Sequence, residues 1–236
     1  MTAMLYICLM LLFYSVISCS SDLLIILLCW REFLKQSPLN SSINQNDQLI
    51  DPQSAKGRLL SMAATLFNQK GYERTTVRDL ASAVGIQSGS IFHHFKTKEA
   101  ILKAVMEETI IFNTRRMRAE LKNSETSKDK LLALIVCELE SINGVTGDAM
   151  AVLVYEWRSL NEQNQADILK LRDKYESLWM EVLTQAKNEG YIDGDIFVLR
   201  RFLTGALSWS KTWFNNKGKI SLSLLAEEAL RLAIKS

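Results

Sequence analysis

From Lys56 to Met106 apolar positions recur with the period of an α-helix, and polar residues and glycines cut the pattern into four segments. Leu59, Leu60, Ala63, Leu66 and Phe67 form the first stripe. Gly71 ends it, where a left-handed residue costs glycine least. Thr76 with Asp79 three residues on predicts a capping box, opening a short helix that buries Val77, Leu80, Ala81 and Val84. Gly85 follows, and a third helix opens near Ser88 with Ile91 and Phe95 turned inward. Thr97 caps a fourth helix that carries Ile101, Leu102 and Val105 and runs on past Thr109.

The remaining pattern is also helical. Residues 123–129 read as a loop. Helices are expected over residues 130–142, 148–160, 165–189, 197–214 and 222–234, broken by Asn143, Gly144 and Gly147, by Gly190, and by a turn at 215–218. The 165–189 segment keeps the period through Ile168, Leu171, Tyr175, Leu178, Trp179, Val182 and Ala186. Arg115, Arg116 and Arg118 cluster at the far end of the fourth helix; a solvated face is expected, with DNA or ligand contact as the alternative.

Composition agrees with an all-α class. The 236 residues are 48% hydrophobic and 23% charged, with only two prolines and ten glycines, few for a chain of many short strands. Four cysteines, three of them in the first thirty residues, make neither a disulfide framework nor a metal site, and Cys137 sits among apolar neighbours as a core thiol. His93 and His94 are adjacent, so they face different ways on a helix and share no metal; His94 is expected to pack or cap. No phosphate loop, nucleophile elbow or zinc-protease motif occurs. No catalytic residues, cofactor or metal are therefore expected, and the chain reads as a non-enzyme.

Residues 1–30 stand apart: no charge precedes Asp22, and no positive region precedes the apolar run, which argues against a signal peptide. Two readings remain. One is an overextended start, the domain proper beginning near Leu49 or Ile50. The other is a membrane anchor followed by Arg31 and Lys35, which would keep the rest cytoplasmic. Residues 36–52 are polar and linker-like.

Two short helices joined at Gly85 form a helix-turn-helix pattern, whose second helix enters the DNA major groove. Gln87, Ser88, Ser90 and His93 are small or hydrogen-bonding and are not needed for the core, so they suit base edges. Thr75, Thr76, Arg78, Lys96 and Lys98 flank them as phosphate contacts. Residues 56–99 carry seven Lys/Arg against three acids, a local +4 in a chain of net +2.

The wording LFNQKGYERTTVRDLASAVGIQSGSIFHHFKTKEAIL resembles the N-terminal domain of the TetR/AcrR family of one-component regulators. Phe92 departs from the pattern, standing where the family usually has a phosphate-binding Tyr. The resemblance implies residues 53–100 as the DNA-binding domain and 101–236 as a ligand-binding and dimerisation domain, after an extension at 1–52. It further implies a homodimer on a palindromic operator in double-stranded DNA, joined through Phe202, Ala206, Trp209, Trp213 and the face Leu222, Leu225, Ala229.

Met150, Leu153, Val154, Trp157, Trp179 and Trp209 are large and spread over separate helices, which fits either an ordinary core or an apolar ligand pocket. The segments LVYEWRSL, RDKYESLW and GALSWSKTWFNNKGKIS are similar to an acyl-CoA-responsive subgroup. That implies an acyl-CoA effector, its phosphates met by Arg158, Arg172 or Arg200. Two alternatives stay open: a multidrug-type regulator whose Trp and Tyr faces and Glu156 hold a lipophilic cation, and a membrane-tethered helical sensor.

Overall fold

The computed structural model describes residues 49–235, and the apolar segment at 1–30 lies outside them. Among the described residues all regular structure is helical: α1 Ala55–Lys70, α2 Val77–Val84, α3 Ser88–His94, α4 Lys98–Lys122, α5 Ser127–Asn143, α6 Gly147–Tyr155, a 3-10 turn Trp157–Ser159, α7 Glu162–Asn188, α8 Ile196–Trp213 and α9 Leu222–Ala233. No helix among them is long and apolar enough to cross a membrane.

The predicted punctuation is present. The Thr76 Oγ1 accepts the Asp79 N–H at 3.1 Å while Asp79 Oδ2 accepts the Thr76 N–H at 2.8 Å, a complete capping box. Those bonds hold the Asp79 carboxyl below the usual carboxylate range. Gly71 has φ +83° and Gly85 φ +71°, backbone that side-chain-bearing residues rarely adopt. Thr97 caps α4 by accepting the Ala100 N–H at 3.0 Å.

Several boundaries move, two of them through a polar cap. Thr126 and Asp129 form a second capping box, so α5 begins at Ser127 and the loop before it ends sooner than expected. Asn161 caps α7, which begins at Glu162, three residues before the expected start, by accepting the Asn164 N–H at 2.9 Å. The helix expected over 148–160 stops at Tyr155 and continues as the 3-10 turn.

Two apolar cores result. The first joins Leu59, Ala63 and Phe67 of α1, Leu80 of α2, Ile91 of α3, and Ile101, Leu102, Val105, Met106 and Ile110 of α4. It also takes in Val152 of α6, Leu160, and Ile168 of α7. The second gathers Met117 of α4, Leu131, Leu134, Ile135 and Cys137 of α5, Trp179 and Leu183 of α7, Leu203 and Leu207 of α8, and Ala226 of α9. The expected division at residue 100 falls inside α4, a continuous helix that serves both cores.

Of the expected dimer faces, that of α8 is open: Phe202 is 74% exposed and Trp209 66%, with Trp213 and Ala206 also exposed. On α9 the expected Leu222, Leu225 and Ala229 are half-buried, with one side packed against the second core, and the exposed large apolar residues are Leu224 and Leu232. The α9 stripe is drawn inward because α9 lies against α5.

Thr76→Ala removes half of the capping box. It is expected to lower unfolding stability by about 1 kcal/mol, seen as an earlier urea midpoint with an unchanged slope.

Candidate nucleic-acid interface

The turn between α2 and α3 is set by Gly85, whose N–H reaches the Ser82 carbonyl, and by Ile86, whose N–H reaches Ala81 O at 3.0 Å. Ile91 and Phe95 anchor α3 from beneath. Arg78, Gln87, Phe92, His93 and Lys96 are exposed, and Ser88 and Ser90 are half-buried. Gln87 occupies the N-cap of α3 without bonding to it, so its amide is not committed there. Thr76 is exposed but engaged in its capping box. His94 is exposed, not packed.

Two expected phosphate contacts are corrected. Thr75 is 0% exposed, and its hydroxyl donates to Gly71 O at 2.9 Å and Leu66 O at 3.3 Å, closing the loop after α1. The Lys98 ammonium turns back under the same loop. It donates to Tyr72 O at 2.8 Å, Thr75 O at 3.1 Å and Glu73 O at 3.5 Å, and lies 4.1 Å over the Tyr72 ring. A lysine so placed aligns the start of α2 with the start of α4. Burial, with Glu99, Glu73 and Glu156 nearby, pushes the Tyr72 phenol up to about 12.

A polar seam joins this head to the later helices. Asp148 of α6 accepts from Thr65 Oγ1 at 2.9 Å and Asn68 Nδ2 at 2.8 Å, both on α1. Glu156 accepts the Tyr72 N–H at 2.9 Å and the Ser159 hydroxyl at 3.1 Å. Glu99 of α4 accepts from Asn161 N and Asn164 Nδ2 at 2.8 and 2.7 Å, and Lys103 meets Asp167 at 2.8 Å. Both Glu156 oxygens are thus engaged within the protein, which corrects its expected role as counter-charge for a lipophilic cation.

The expected ligand residues do not converge. Trp179 is 0% exposed in the second core, and Met150 packs beside that core. Leu153 and Trp157 lie against the first core, while Val154, Arg158 and Trp209 are exposed. Arg200 is buried, with Nε 3.0 Å from Glu176 and Nη2 3.4 Å from Glu138, its guanidinium 4.1 Å over the Trp179 ring. Burial raises the Glu138 carboxyl above its ordinary range against the pull of Arg200, and Tyr175 donates to it at 2.8 Å. Arg200 and Trp179 are therefore parts of a buried polar brace, where ligand contact was expected. Arg172 stacks on Trp157 at 5.7 Å.

A head of this geometry on a two-core helical body is a regulator's architecture, and comparison with known proteins agrees. Residues 59–105 match the family model for bacterial regulatory proteins of the tetR family, and residues 124–236 match that for the tetracyclin repressor-like C-terminal domain. The HTH-type transcriptional repressor KstR2 of Rhodococcus jostii is 30% identical over 179 residues, 75% of this chain and 87% of the relative. The chain belongs to the TetR family of transcriptional regulators. Among solved structures, that of the superantigen PfiT is 64% identical, covering 79% of this chain and all of that one, with a TM-score of 0.70. That of AibR with isovaleryl coenzyme A and operator DNA is 21% identical, covers 76% and 97%, and shares the fold with a TM-score of 0.69.

Lys98→Ala is expected to destabilise the chain by about 1–3 kcal/mol, because three carbonyls lose their donor. Operator affinity should fall, with the slope of log affinity against log salt unchanged. A slope flattened by about one unit would mean that the ammonium meets a phosphate after all.

Proposed function

We propose that the chain is a homodimeric repressor that reads a palindromic operator in double-stranded DNA through residues 53–100. An amphipathic acid of the acyl-CoA type, held by residues 101–236, releases it. The observation that carries the DNA half is the outer row of α3: Gln87, Ser90 and His93 lie on the helix that Ile91 and Phe95 seat from below. Ser88 and Phe92 complete the surface turned to the groove, and Thr76, Arg78 and Lys96 lie beside it as phosphate contacts. Two such heads would read half-sites about 34–36 Å apart.

Dimerisation would cover the open face of α8, where Phe202, Trp209 and Trp213 leave apolar area to water. Support for the effector comes from the segments at 153–160, 172–179 and 205–221 that resemble acyl-CoA-responsive regulators, and from AibR, a protein of the same fold solved with an acyl-CoA and its operator. The effector acts only through its different affinity for the two head spacings, typically about 1–3 kcal/mol.

Fluorescence anisotropy on DNA upstream of the chain's own gene, titrated with palmitoyl-CoA, tests the reading. Salt-dependent binding that palmitoyl-CoA releases is expected. A complex that palmitoyl-CoA leaves intact would remove the acyl-CoA half, and failure to select any DNA from a genomic library would remove the repressor. His93→Ala and Ser90→Ala should shift base preference in a randomised operator selection, by about 1–3 kcal/mol for a direct contact. An unchanged preference would contradict their placement at the bases.

The 64% identity to PfiT favours a second reading, a superantigen activity carried on surfaces the two chains share. Polyclonal T-cell stimulation by the purified chain would reveal it, and operator binding alone would not produce it.

A further inference from the structure

The arginine cluster of α4 divides three ways. Arg116 pairs with Glu140 of α5, and Arg118 is exposed. Arg115 is different: its Nη2 is buried and has no hydrogen-bond partner among the described residues. Leaving a charged donor dry and unpaired is unfavourable, so such a group marks a place where an acceptor is missing.

Arg115 borders a narrow crevice between α4 and α7 whose lining includes Ile110, Ile111, Arg118, Leu171 and Lys174. On α4 the residues at 111, 115 and 118 fall on one face, and on α7 Leu171 and Lys174 lie three apart, so cations and aliphatic side chains meet across the gap. Arg115, Arg118 and Lys174 enter no ion pair among the described residues. Glu108, on the same helix, has its carboxylate engaged by the Ile50 N–H at 3.0 Å. Three cations above an aliphatic floor suit a ligand with a phosphate end and an apolar end.

We infer that Arg115, Arg118 and Lys174 form the phosphate-recognition end of the effector site, taking the phosphates of an acyl-CoA at the mouth of the α4–α7 crevice while its acyl chain follows Ile110, Ile111 and Leu171. The inference rests on the effector half of the proposed function. Arg200 Nη1 also has no hydrogen-bond partner among the described residues, but its Nε and Nη2 are held by Glu176 and Glu138 inside the body, and Arg172 lies over Trp157; Arg115 is the one that borders the crevice. The site also supplies a route to the head. The crevice is narrow as it stands, so an acyl chain entering it must part α4 from α7. The Glu99–Asn161, Glu99–Asn164 and Lys103–Asp167 bonds join those same two segments nearer the DNA.

Calorimetry on the full-length chain with palmitoyl-CoA, free coenzyme A and palmitate tests this, comparing wild type with Arg115→Met and with the exposed Lys174→Met, which folding should tolerate. Each substitution is expected to weaken palmitoyl-CoA and coenzyme A about tenfold, the loss of one charge-assisted contact. Palmitate affinity and effector-free operator affinity should stay as in wild type. Variants that bind palmitoyl-CoA like wild type would overturn the assignment and leave the effector reading standing. A wild-type chain that binds neither palmitoyl-CoA nor coenzyme A would overturn both. Variants that lose operator affinity without effector would assign the cations to DNA phosphates instead.

Discussion

The structure depends on α4 being a single helix built into two cores. Its 25 residues extend about 37 Å at 1.5 Å per residue. The N-terminal half inserts Ile101, Leu102, Val105 and Met106 under the helix-turn-helix, and the C-terminal half carries Met117 into the core of the later helices. Close-packed side chains on both halves resist bending and transmit displacement. Under the proposed mechanism, a change at the far end of α4 would be carried to α1, which packs directly on it. The capping boxes, the α3 anchors and the Lys98 clamp refine a head whose position that strut determines.

The second constraint is electrostatic. Asp148, Glu156 and Glu99 each bond across the boundary between head and body, and Asp167 accepts from Lys103 of α4 just beyond it, mostly half-exposed and at 2.7–2.9 Å. Individually such bonds contribute about 1 kcal/mol. Together they make a seam with defined geometry that can be exchanged for another arrangement at modest cost, as switching requires. The buried brace of Arg200, Glu138, Glu176 and Tyr175 lies inside the body and has no such freedom, because removing one partner leaves a charge stranded in the core.

What was legible in the sequence follows from range. The capping box at Thr76, the turn at Gly85, the inward pair Ile91 and Phe95, and the cap at Thr97 depend on neighbours within four residues, and each reads correctly. Errors arise where a polar side chain finds a partner far along the chain. Lys98 reaches back 26 residues to Tyr72, and Arg200 reaches Glu138 across 62. Lys98 is expected at a phosphate from its place beside α3, and Arg200 at the effector from the resemblance to acyl-CoA-responsive regulators. Thr75 and Thr76 are chemically alike and adjacent, yet one closes a buried loop and the other caps a helix. For Trp157, Trp179 and Trp209 the limit is different: helical period identifies a face but not which of two cores, or which open surface, receives it.

The central claim is that effector binding in the body alters the spacing of two reading heads through α4. A spin label at the exposed Ser82 of α2, one per subunit, reports that spacing directly by pulsed dipolar spectroscopy. The account predicts a distinct inter-head distance with palmitoyl-CoA, and the effector-free distance with operator DNA. Release from the operator with the inter-head distance unchanged would contradict it.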